Sequence, residues 1–151
     1  MRFVENMLQG RTTKLRFNDH ESSKITIDNG IGQGDPLSMA LYQYYNTDLL
    51  DIPQMPNEDV AAYVDDTILI ATAKSFEETH KILEEMMTCA GGAMDWADEH
   101  NSKFELTKLA LMDFTHRNKK STRTPLKIEN TVVKPTSSAK YLGVYLDQHL
   151  N

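Results

Sequence analysis

Val60-Ala61-Ala62-Tyr63-Val64-Asp65-Asp66-Thr67-Ile68-Leu69-Ile70-Ala71 decides how this chain is read. Residues 60–63 and 67–73 are rich in β-formers, and little more than Asp65-Asp66 separates them. Two such runs around so short a break predict a tight hairpin. Hairpin turns usually carry Asn-Gly or Asp-Gly, which tolerate a positive φ. Two neighbouring carboxylates there repel each other, unless a cation sits between them and a third carboxylate. Magnesium suits that place, because it takes carboxylate oxygen together with substrate phosphate. The apolar flanks predict strands of a buried sheet, rigid enough to place a carboxylate to within about half an ångström. An acidic turn between two buried strands with no chemistry is the plainer alternative.

Upstream, Gly30-Ile31-Gly32-Gln33-Gly34 is too rich in glycine for regular structure, and it runs into Asp35-Pro36. Aspartate as N-cap and proline in the first turn predict a helix start. Its apolar stripe is Leu37, Leu41, Tyr44, Tyr45 and Leu49, and Pro53 and Pro56 stop it. A glycine-rich loop feeding a helix N-terminus lets backbone approach a ligand closely. Further upstream, residues 11–17 and 24–28 alternate around a turn-rich link and predict another hairpin.

Downstream, Ser75-Phe76-Glu77-Glu78 is a capping box, opening a helix with an inner stripe of Phe76, Leu83, Met86, Met87 and Ala90. Gly91-Gly92 bends or ends it, and Met94-Asp95-Trp96-Ala97 adds another turn or two. Residues 104–114, 126–133 and 140–146 each predict one strand. The order predicts an α+β fold over residues 1–151 as a single domain: an antiparallel sheet with two main helices packed on one face, plus C-terminal strands.

A chain of 151 residues, 40% hydrophobic and 25% charged, suits one soluble globular domain. The longest apolar stretch, residues 67–73, falls far short of the ~20 residues of a membrane-spanning helix, so no membrane partner is expected. The first residues lack the apolar core of a secretion signal, and a single cysteine, Cys89, excludes an internal disulfide framework. Both point to an intracellular location, nucleus or cytoplasm. The net charge of −6 divides unevenly. Residues 31–100 carry 14 acids against Lys74 and Lys81, whereas residues 101–140 carry nine bases against three acids. The basic run Arg117-Asn118-Lys119-Lys120-Ser121-Thr122-Arg123 reads equally as a phosphate-tracking segment and as a solvated loop.

Taken together, Gly32-Gln33-Gly34-Asp35-Pro36-Leu37-Ser38 and, about thirty residues on, Tyr63-Val64-Asp65-Asp66 resemble the second and third palm motifs of reverse transcriptases from non-LTR (LINE-like) retrotransposons. The likeness covers nearly the whole chain. Leu41-Tyr42, with Tyr45-Asn46-Thr47-Asp48-Leu49-Leu50, resembles the helix after the second motif. Phe104-Glu105-Leu106-Thr107-Lys108 resembles the fourth, and Tyr141-Leu142-Gly143-Val144-Tyr145-Leu146-Asp147 the stretch beside the primer end. The resemblance implies an RNA-directed DNA polymerase palm that transfers nucleotides to a primer 3′ hydroxyl. Its partners would be an RNA or DNA template-primer and deoxynucleoside triphosphates, and its cofactor magnesium, or manganese in its place. Asp65 and Asp66 would be catalytic and metal-binding, with Asp66 supporting. Gln33, Gly34 and Tyr63 would meet template and nucleotide, Lys108 would be the general acid, and Leu142 and Gly143 would position the primer. An exposed lysine on a strand is the plain alternative for Lys108, and a core aromatic for Tyr63.

Two departures from the family stand out. Gly32 replaces a usual proline, and residues 1–30 hold only Asp19 and Asp28, neither within the family's earlier Phe-x-Asp-like motif. The chain is therefore expected to be a palm fragment lacking that motif, the fingers and most of the thumb, with residues 140–151 leading towards the thumb. Alone it would be incomplete and inactive. A catalytically inactive retrotransposon remnant or nucleic-acid-binding module is the second reading. A nuclease is disfavoured, since no acid cluster surrounds a histidine base and His80 and His100 read as solvent-exposed on or near a helix. Zinc is disfavoured by the absence of Cys-x-x-Cys and of paired histidines. Cys89 reads as a small buried helix residue. Met39, Tyr42, Tyr44 and Trp96 are expected on exposed apolar faces and would lower solubility.

Overall fold

The computed structural model describes residues 2–32, 34–114 and 124–150. The basic run, residues 117–123, lies wholly outside them, and so does Gln33. The chain divides into two compact units, Met1–Tyr44 and Tyr45–Asn151.

In the first unit, α1 (Arg2–Leu8) precedes four two-residue strands, β1 (Thr12–Thr13), β2 (Arg16–Phe17), β3 (His20–Glu21) and β4 (Ile25–Thr26). β1 pairs with β4 through Thr12 opposite Thr26, and β2 with β3 through Arg16 opposite Glu21, all antiparallel. The hairpin expected over residues 11–28 is therefore present, interrupted midway. At the interruption the Leu15 N–H donates to Ser22 Oγ (2.9 Å) and Ser22 N–H to the Leu15 carbonyl (2.9 Å). The helix α2 (Pro36–Tyr45) starts where Asp35-Pro36 placed it: Asp35 Oδ1 accepts from the Leu37 N–H at 2.9 Å. Gly34, at φ +85°, occupies the left-handed region just before this cap, where a side chain would be strained.

The second unit holds a 3₁₀ helix (Thr47–Asp51), β5 (Glu58–Tyr63), β6 (Asp66–Ala71), α3 (Phe76–Thr88), α4 (Ala93–Glu99) and a 3₁₀ turn (Leu106–Lys108). Four short strands follow: β7 (Leu126–Ile128), β8 (Thr131–Val133), β9 (Ser138–Tyr141) and β10 (Val144–Asp147). Its core gathers Leu49, Ile52, Met86, Met87, Ala93, Trp96, Ala97, Leu111, Leu126, Ile128 and Val133. α3 packs on β6, β7 and α4, and α4 packs on the first 3₁₀ helix. Among the described residues the strands form five separate two-stranded antiparallel ribbons instead of the one sheet expected. The mixed helix-and-strand class and the antiparallel pairing hold; the continuous sheet does not.

The capping box on α3 is present in a shifted form. Ser75 Oγ accepts from the Glu78 N–H (3.2 Å), while Glu78 Oε2 accepts from the Lys74 N–H (3.2 Å), one residue earlier than in the usual reciprocal pair. Removing an N-cap hydroxyl costs about 1 kcal/mol, so Ser75→Ala is expected to lower Tm by about 2–4 °C in thermal unfolding. Between α3 and α4 the chain needs glycine. A Cβ on Gly92 would stand 2.7 Å from the Met86 carbonyl oxygen and 2.9 Å from that of Cys89.

Residues 104–114 are not a strand but a 3₁₀ turn, followed by an isolated parallel bridge from Leu111 to Pro135. Residues 126–133 and 140–146 fold back on themselves as the ribbons β7–β8 and β9–β10. Trp96 is a core residue, only 9% exposed; Met39 and Tyr44 are exposed as anticipated, and Tyr42 is half-buried. Cys89 is an exposed C-cap, and Ala90 is exposed rather than part of the inner stripe. His80, expected in solvent, is 4% exposed, with Nε2 2.7 Å from Asp113 Oδ1.

Candidate active site

β5 and β6 pair in strict register from Glu58–Ala71 to Tyr63–Asp66, which leaves Val64 and Asp65 as the two residues of the turn. The expected tight hairpin is thus present, with Asp65 at its tip and Asp66 opening β6. The ribbon is not part of a buried sheet: β5 is mostly exposed, and β6 only half-buried where Leu69 packs against the core. Rigidity at the tip must come from elsewhere. Val64 sits at φ +57°, a region where a β-branched residue is a genuine outlier and which the mirrored hairpin turns ordinarily assign to glycine or asparagine. Its carbonyl accepts a hydrogen bond from Asn46 Nδ2 at 3.1 Å. Asn46, missed as a site residue in the sequence, is buried just ahead of the first 3₁₀ helix.

Asp65 and Asp66 are both exposed, and neither forms an ion pair among the described residues. Two free carboxylates of hard oxygen donors fit magnesium, which binds through one or two carboxylates while keeping waters and substrate phosphates. The described residues bring no third histidine, cysteine or carboxylate to form an all-protein cage. Tyr63 lies directly across the ribbon from Asp66, and it is 55% exposed rather than a core aromatic.

The other sequence-derived site residues lie on separate elements. Gly34 is exposed at the turn before α2 in the first unit, and Gln33 lies outside the described residues. Leu142 (φ +47°) and Gly143 (φ +85°) form the tip of the β9–β10 ribbon, both exposed. Lys108 is exposed at the end of the 3₁₀ turn, beyond any strand. Neither of these last two elements packs extensively on the β5–β6 ribbon.

The 3₁₀ turn owes its form to Glu105, whose carboxylate accepts from Thr107 Oγ1 (2.6 Å) and Thr107 N–H (3.4 Å). The side-chain bond to Thr107 is the main cause holding the Glu105 carboxyl below the usual glutamate range; the backbone bond adds to it, desolvation opposes, and Lys108 and Lys103 contribute through their charge. A carboxyl depressed in the folded state adds stability above its unfolded pKa, and that stability is lost as pH falls through the folded value. Urea midpoints should therefore favour the parent chain over Glu105→Gln near neutrality, with the gap closing as pH falls below the usual glutamate range.

The family described as reverse transcriptase (RNA-dependent DNA polymerase) matches residues 2–146. The chain belongs to the reverse transcriptase family. It is 26% identical over 97% of its length to an RNA-directed DNA polymerase from mobile element jockey of Drosophila melanogaster. Over 97% of its length it is also 28% identical to a probable RNA-directed DNA polymerase from transposon X-element of the same species. The likeness to retrotransposon enzymes is thus borne out. The reverse transcriptase segment here spans 16% of each of these relatives. No solved structure matches it. No helix among the described residues is long and apolar enough to cross a membrane.

Proposed function

We propose that this chain is a palm segment of an RNA-directed DNA polymerase, adding deoxynucleotides to a primer 3′ hydroxyl on an RNA or DNA template. The carrying observation is the β5–β6 turn: two exposed carboxylates with no cationic partner among the described residues, next to Val64 at positive φ. Such an arrangement works against local stability, and function is the usual reason a fold retains it.

In this reading Asp65 and Asp66 hold a divalent cation, magnesium or manganese, with a further carboxylate from the family's earlier Phe-x-Asp-like motif completing the set. The cation would supply Lewis-acid neutralisation of the phosphoryl oxygens. Tyr63, facing Asp66 across the ribbon, offers an exposed ring against which a nucleotide base or sugar can rest. Gln33 and Gly34 would line template and incoming nucleotide from the turn before α2. Gly34 allows close backbone approach because it has no side chain. Lys108 would give a proton to the departing pyrophosphate, and Leu142 and Gly143 would bear on the primer. The location proposed is the nucleus or cytoplasm.

The test is primer extension on an RNA template, with magnesium and deoxynucleoside triphosphates, by a polymerase that carries this segment and the earlier aspartate motif. Extension that requires all three is the expected result; a folded protein that never extends the primer would reduce the chain to a non-catalytic remnant.

A further inference from the structure

We infer that Asn46 is a positioning residue for the Asp65–Asp66 turn, fixing the left-handed backbone at Val64 through its side-chain amide. This deepens the proposed reading of the turn and rests on it for the role of the carboxylates. Asn46 is 8% exposed, and its Nδ2 donates to the Val64 carbonyl at 3.1 Å across eighteen residues of sequence. No side-chain bond ties Asn46 to the start of the 3₁₀ helix it precedes, so its amide is not used as a cap. Its buried Oδ1 has no hydrogen-bond partner among the described residues either. Burying an amide that is only half satisfied is costly, and the side-chain bond it does make among the described residues reaches the strained residue beside Asp65.

Anchors on both sides hold Asn46 in place. Tyr45 donates its hydroxyl to the His100 carbonyl and sets its ring edge-on to the His100 ring (5.1 Å). Leu49, three residues on, is 2% exposed in the core. His100 in turn stacks on Trp96 (4.4 Å) and places Nδ1 2.9 Å from the Trp96 carbonyl. The rigidity that the half-exposed ribbon lacks is thus supplied from the α4 end of the core, through Asn46, to the carbonyl of the turn. A glycine at position 64 would adopt φ +57° without help; valine needs its conformation determined from outside.

Four forms of the full chain separate this role from plain packing: Asn46→Ala, Asn46→Asp, Val64→Gly and the double variant Asn46→Ala/Val64→Gly. Asn46→Asp keeps the shape but sets a carboxylate against the Val64 carbonyl, so it should behave at least as badly as the alanine. Each single Asn46 variant should lower Tm by roughly 3–8 °C and speed amide exchange at Asp66 by at least about tenfold. Val64→Gly should absorb most of that loss, leaving the double variant within about 2 °C of Val64→Gly alone. An equal loss from Asn46→Ala in the valine and glycine backgrounds, or unchanged exchange at Asp66, would overturn the inference. Neither readout involves nucleotide addition, so a failed extension assay and a failed coupling are separate results.

Discussion

Replacing Asp65 with asparagine in a polymerase that carries this segment should lower primer extension by roughly a thousandfold while leaving the fold intact. The magnitude follows from losing one anionic oxygen ligand: charge stabilisation by a bound cation is worth several kcal/mol, and each 1.36 kcal/mol is tenfold in rate. The stability half of the expectation comes from the structure. Asp65 is exposed at the tip, has no ion-pair partner among the described residues, and adjoins a like charge at Asp66. Removing one charge relieves repulsion, so Tm should stay within about 2 °C or rise slightly. A large fall in both activity and Tm would make the turn a structural feature, and unchanged extension would remove it from the chemistry.

The largest expected effect on stability lies in the second unit's core. His80 and Asp113 meet at 2.7 Å with side chains 5% and 2% exposed, joining α3 to the segment after the 3₁₀ turn. Breaking one side of a buried pair commonly costs about 3–5 kcal/mol. His80→Ala also leaves a void where the ring packed. A fall in Tm of about 6–12 °C is therefore expected, together with a lower urea midpoint at unchanged m-value. A loss under about 1 kcal/mol would mean that the other partners of Asp113 carry the join. The same substitution should not alter where a divalent cation binds, since neither residue belongs to the turn.

What could be read from the sequence was what local chemistry decides. Asp35 before Pro36 and Ser75 before Glu78 do what their side chains dictate within four residues, and Gly91-Gly92 breaks the helix because it has none. The tight turn at Asp65 was legible for the same reason: two β-rich runs with two residues between them leave few alternatives. Misreadings began where a partner lies far along the chain. His80 stands among Glu77, Glu78 and Lys81 and looks solvated; only Asp113, 33 residues away, draws it inside. Asn46 falls inside the helix expected to run past Leu49, whereas α2 ends at Tyr45, and its bond to Val64 was invisible without the fold. Residues 104–114 read as a strand-like stretch, but Glu105 bonds Thr107 locally and turns the backbone instead. The two late hairpins were missed because the first residue of each turn is atypical: Glu129 (φ +51°) and Leu142 (φ +47°) stand where asparagine, aspartate or glycine is customary, and only the second residues, Asn130 and Gly143, carry the marker.

The most direct measurement is a manganese titration of the labelled chain, followed residue by residue through paramagnetic broadening of its amide signals, with Asp65→Asn alongside. Broadening that begins at Val64, Asp65 and Asp66 and disappears in the variant is the expected result. Equal, weak broadening in both proteins, or broadening centred on the acidic α4 residues Asp95 and Asp98, would contradict the assignment of this turn as the cation site.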